Sequence, residues 1–130
     1  MTPSQYNSSL AFLSALKKLN HPLPADIQAQ VNEIGKALSN DPTQLVNLDI
    51  IAESYKPLDE LYQDELIALD NVARERSKGL SPEPLPTQTT EEITNLAIDM
   101  FSEVDSVAAT RKPENTNRLK RIWQIITGNN

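Results

Sequence analysis

Residues 89–107, TTEEITNLAIDMFSEVDSV, carry the strongest periodic signal in the chain. Thr89-Thr90-Glu91-Glu92 has the spacing of a capping box, in which a threonine hydroxyl and a glutamate three residues later each satisfy an otherwise orphaned backbone amide. Behind it, Ile93, Leu96, Ala97, Met100, Phe101, Val104 and Val107 recur at intervals of 3, 1, 3, 1, 3 and 3. That repeat belongs to one face of an α-helix. The pattern predicts a helix running through Val107, the fifth of the chain. Its apolar stripe is wider than a simple two-helix seam, and few other aromatic groups are at hand to cover it, so a dimer or a partner-bound form is expected.

The flanks of this stretch read differently. On its N-terminal side, Ser81-Pro82-Glu83-Pro84-Leu85-Pro86 cannot continue a helix, which makes 79–88 an extended connector. Prolines every second residue do not share a face of a threefold polyproline helix, so the connector reads as a spacer rather than a docking peptide. On the C-terminal side, Arg111-Lys112-Pro113 leads into a short sixth helix carrying Leu119, Ile122, Trp123 and Ile126 and ending at Gly128.

Upstream, the helical period continues. Thr2-Pro3 opens a first helix with Tyr6, Leu10, Phe12, Leu13, Leu16 and Leu19, stopping near Asn20. His21-Pro22-Leu23-Pro24 breaks the chain, and Ile27, Val31, Ile34 and Leu38 then form a single stripe. Gly35 inside that stripe costs about 1 kcal/mol relative to alanine; it reads as tolerated, with a close helix crossing as the alternative. Asp41-Pro42 starts a third helix through Leu45, Leu48, Ala52 and Tyr55, and Pro57 with Asp59 and Glu60 favours a fresh N-terminus for a fourth. Leu58, Leu61, Leu66, Leu69 and Val72 line that fourth helix, and Arg74, Arg76, Lys78 and Gly79 close it.

The expected fold is all-α, an antiparallel bundle of five or six helices in a single helical domain spanning 1–130. Helices 1–4 would occupy 1–78, and the helix pair of 89–128, too small to stand alone, would pack on them.

Several chemistries are missing from the sequence. With no cysteine there is no disulfide, thiolate ligand or cysteine nucleophile. Gly35, Gly79 and Gly128 are isolated, so no glycine-rich phosphate loop exists. The first twenty residues lack the basic start of a signal peptide and no apolar run reaches the roughly 18 residues of a membrane span, so a cytoplasmic protein is expected and the Asn7-Ser8-Ser9 sequon is incidental. Asp49/Glu53, Glu60/Asp64 and Asp99/Glu103 fall four apart, a spacing that can share a divalent cation. The Glu-x-x-Glu and Glu-x-x-Asp pairs of all-α nucleotide pyrophosphohydrolases do not occur. His21 is the only histidine, in a predicted turn. No catalytic, metal or cofactor residue is expected from these groups, which read as solvated surface.

Charge is distributed unevenly. Residues 1–110 hold 17 acidic and 7 basic groups, whereas residues 111–130 hold 1 acidic and 5 basic. Within 41–70, eight carboxylates face Lys56 alone. The basic segment, Arg111, Lys112, Arg118, Lys120 and Arg121 around Trp123, is the candidate partner-binding group. Its expected role is docking onto an acidic face of the same chain or of a second copy, with Arg118 and Arg121 meeting acids among Asp59, Glu60 and Asp64, and with Trp123 as the main buried group of its helix. The function expected is that of a non-catalytic interaction or adaptor protein binding a protein partner or itself. Nucleic-acid or membrane-surface binding through the basic helix is the alternative, and a metal-dependent hydrolase using the carboxylate pairs is a second. Nucleic acid is disfavoured because the rest of the chain repels phosphates.

Overall fold

A computed structural model describes residues 3–41, 48–76 and 87–127. They form α1 (Pro3–Lys18), α2 (Ala25–Asn40), α3 (Leu48–Glu53), α4 (Lys56–Arg76), α5 (Thr87–Phe101), α6 (Ser106–Arg111) and α7 (Pro113–Thr127). No strand occurs among the described residues, and the class is all-α. Leu45, Gly79, Gly128 and the prolines of the connector lie outside the described residues. Thr87 and Gln88, expected in the connector, already belong to α5, so Thr89 lies inside the helix rather than capping it.

The centre is α1. Leu10, Ala11, Phe12, Leu13, Ala15 and Leu16 are all fully enclosed, as a helix that is apolar on every side must be. It touches α3, α4, α5, α6 and α7. Phe12 lies between two partners, meeting Tyr62 of α4 at a ring-centroid distance of 5.9 Å and Phe101 of α5 at 5.6 Å. Both contacts are edge-on, the arrangement in which a ring's positive edge meets a negative face.

α4 starts where Pro57 suggests. Ser54 and Tyr55 form a turn after α3, and Pro57 falls in the first turn of α4, where its missing N–H has no intrahelical partner to lose. The helix turns Leu58, Tyr62, Glu65 and Leu69 inward. Two of these are polar at the tip. The Tyr62 hydroxyl donates to the Asp49 carboxylate of α3. Burial, reinforced by that carboxylate, holds its pKa well above the usual tyrosine range. Glu65 pairs with Lys18 of α1, which removes the cost of an uncompensated buried carboxylate.

α2 and α5 cross closely at Gly35. A Cβ there would lie 2.9 Å from Ser102 Oγ and 3.0 Å from both the carbonyl carbon and Cβ of Phe101. The glycine is therefore a point of backbone approach, not a tolerated helix breaker.

The predicted fifth helix does not reach Val107. It ends at Phe101, residues 102–105 bend, and α6 begins at Ser106, which brings the count to seven helices among the described residues. The cause lies on α2. Asn32 Nδ2 donates to the carbonyls of Phe101 at 2.6 Å and Glu103 at 2.8 Å. Gln28 Nε2 donates to Ser106 Oγ at 2.9 Å, while its Oε1 accepts from the Ser106 amide at 3.0 Å. Asp105 then caps α6 by accepting from the Ala108 amide at 3.0 Å. With these groups satisfied from outside, the helix can stop without leaving buried orphans. Val104, predicted on the stripe, is 90% exposed at the bend, whereas Val107 is buried on α6.

Candidate partner-binding surface

α7 starts at Pro113, and Lys112 before it is extended (φ −61°, ψ 136°), as proline demands of the residue it follows. Asn115 Nδ2 donates to the Ala109 carbonyl at 2.9 Å and Thr116 Oγ1 to the Thr110 carbonyl at 3.1 Å. The first turn of α7 is thereby tied to the end of α6. Leu119 and Ile122 are the buried anchors of α7.

Trp123 is half-buried rather than the main buried group, packing against the core while its indole N–H donates to Ser14 Oγ on α1 at 2.8 Å. The indole's polar edge needs an acceptor, and a serine at the rim supplies it.

The six sequence-predicted residues all lie on the α6–α7 segment, but they are not presented together. Arg118 pairs with Asp99 at 2.9 Å and Arg121 with Glu92 at 2.8 Å. Both acids belong to α5, not to the 59–64 stretch expected. α7 lies along α5, so the nearest carboxylates are those on the flank of that helix. Arg111 Nε donates to the Lys17 carbonyl at 3.2 Å, at the end of α1. Lys112 and Lys120 are exposed. Thus all three arginines and the tryptophan of the proposed binding group bond to the chain's own elements, and Asn117, Lys120, Gln124, much of Arg121 and part of Ile125 remain exposed on α7.

The acidic stretch behaves oppositely. Because α4 buries Leu58, Tyr62, Glu65 and Leu69, helical geometry turns Glu60, Gln63, Asp64, Ile67 and Asn71 outward. Glu60 and Asp64 form no ion pair among the described residues. Ile67 on this face and Ile50 on α3 are each 59% exposed. Ile67 is the residue that sequence reasoning passed over, although its position five residues after Tyr62 already places it off the inward stripe.

Among the described residues, the carboxylate pairs gain no third metal-ligating side chain. Asp49 is engaged by Tyr62. Asp99 and Glu103, expected on one helix, are separated by the end of α5, and Asp99 faces Arg118. Among the described residues, no three carboxylate or histidine groups converge. His21 is exposed beside Tyr55, with ring centroids 6.0 Å apart. A groove of about 410 Å³ opens between the end of α5 and the start of α7, lined by Met100 with Asp99, Glu103, Lys112, Glu114 and Arg118. Its charges are of both signs, and its arginine is paired with Asp99.

No protein-family model, curated protein or solved structure matches the chain. No helix among the described residues is long and apolar enough to cross a membrane.

Proposed function

We propose that this chain is a non-catalytic, cytoplasmic helical interaction protein that binds a protein partner or itself through exposed helix faces. The observation that carries this reading is the outward side of α4, where Glu60 and Asp64 have no ion-pair partner among the described residues and share one face with an exposed Ile67. Apolar anchors ringed by charge are the usual make-up of a protein-binding patch. The basic segment supports nucleic-acid or membrane binding less well, since Arg118 and Arg121 are occupied by α5.

The test is a photo-crosslinking residue placed at position 67 of the full chain in native lysate. A discrete adduct that disappears on Glu60→Lys with Asp64→Lys supports the reading. No discrete adduct, or one indifferent to charge reversal, counts against it.

A further inference from the structure

α5 and α7 run antiparallel, as their ion pairs show: the acid advances along α5 from Glu92 to Asp99 while its partner retreats along α7 from Arg121 to Arg118. One helical turn further in the same sense stand Glu103 and Glu114. The Ser102 and Glu103 amides still bond back to the Ile98 and Met100 carbonyls, at 3.0 and 3.4 Å, so the chain follows a helical turn to that point. Where the next ion pair would fall, two carboxylates line the groove instead, one from the end of α5 and one from the start of α7.

Lys112 lines the groove as well, and none of these three charges has an ion-pair partner among the described residues. Arg118 is held by Asp99 and by Asn115 Oδ1 at 3.3 Å, and Asn115 Nδ2 is fixed in turn to the Ala109 carbonyl. That wall is therefore set before any ligand arrives, which lowers the cost of binding. Met100 and the half-buried Ile98 supply apolar surface between the charges. The volume, about 410 Å³, falls within the roughly 300–1,000 Å³ of small-molecule sites.

We infer that this groove binds a small basic amino acid, a ligand with one carboxylate and two cationic groups on an apolar stem, as in lysine or arginine. Glu103 and Glu114 match the two cations, and Lys112 matches the carboxylate. Lys112 directly precedes α7, whose positive dipole end favours an anion there too. The stem lies over Ile98 and Met100, as the methylenes of amphipathic cations do on apolar surface. No third metal-ligating side chain joins the two glutamates among the described residues, so an organic cation suits them better than a metal ion. The groove shares no residue with the outer face of α4, so its occupancy and the crosslink from position 67 are tested separately.

The experiment is an amide NMR titration of the full chain with L-lysine at neutral pH and constant ionic strength, alongside norleucine, which lacks the side-chain cation, and cadaverine, which lacks the carboxylate. Saturable shifts at Glu103, Glu114 and Asn115 are expected, with affinity in the millimolar range. Each control should bind about fivefold more weakly than lysine, the worth of one partly exposed ion pair. Lys112→Ala should erase lysine's advantage over cadaverine. Glu103→Gln or Glu114→Gln should erase its advantage over norleucine, since one carboxylate then remains for two cations. All three side chains are exposed, so the fold should survive each change, which circular dichroism checks. No saturable shift with lysine, or an equal response to all three compounds, overturns the inference.

Discussion

α4 and α7 carry the two charge blocks of this chain, and they handle them in opposite ways. α7 turns arginines toward α5, where Arg118 and Arg121 find Asp99 and Glu92. α4 turns Glu60 and Asp64 to solvent, while its buried Glu65 pairs with Lys18. Opposite net charge therefore does not make the two blocks partners within a protomer. What decides is which side of each helix is apolar: burying Leu58, Tyr62 and Leu69 commits the acids outward, and burying Leu119 and Ile122 along α5 brings the arginines beside that helix.

The comparison breaks most readily at the inward sides. Tyr62→Ala should cost about 3 to 5 kcal/mol and Ile122→Ala about 2 to 5 kcal/mol, read from chemical denaturation, because each removes a fully packed side chain. Truncation after Arg111 should likewise destabilise the whole protein; an unchanged melt would mean that α7 adds nothing to the core.

The pH dependence sharpens the same contrast. Tyr62 holds its proton more tightly folded than unfolded, so above pH ~10 the unfolded state releases a proton that the folded state keeps. The stabilisation is thus fully present below that pH and is lost as pH rises through the elevated folded value. Alkaline melting curves should show this decline, and Tyr62→Phe should flatten it.

Smaller effects follow at the rims. Trp123→Phe, which removes the donor to Ser14 Oγ, should cost about 1 kcal/mol and leave the fold intact. Arg118→Ala and Arg121→Ala should each change stability by about 0 to 1 kcal/mol, since both pairs are substantially exposed. Glu60→Gln and Asp64→Gln should be smaller still, and a clear loss from either would show that α4's outer face is engaged within the protomer.

Much of this architecture could be read in the chain before any fold was known. The stripe Ile27, Val31, Ile34 and Leu38 is the buried face of α2, and Pro57 marks the start of α4. Apolar period, however, says nothing about interruptions imposed from elsewhere. Ile93 to Val107 reads as one helix because the register of α6 happens to continue that of α5, whereas the break is made by Gln28 and Asn32. Asp105-Ser106 was the local cue, an N-cap pair within an apolar run. Glu65 was read as part of an acidic stretch, since its burial depends on Lys18 arriving from α1. The candidate site was legible in composition but not in place. Sequence shows that basic and acidic blocks exist, while the rotation of each helix determines which groups face outward.

The hold of α2 on the α5–α6 bend also sets a hierarchy of motion. α6 has six residues, far below the length at which an isolated helix persists in water. Its order depends on side chains up to 78 residues away in the chain. Amide protons of α6 should therefore exchange with solvent in the same opening event as those of α2, as one cooperative unit. Gln28→Ala should release the Ser106 amide to rapid exchange while the amides of α1, enclosed at the centre, stay protected.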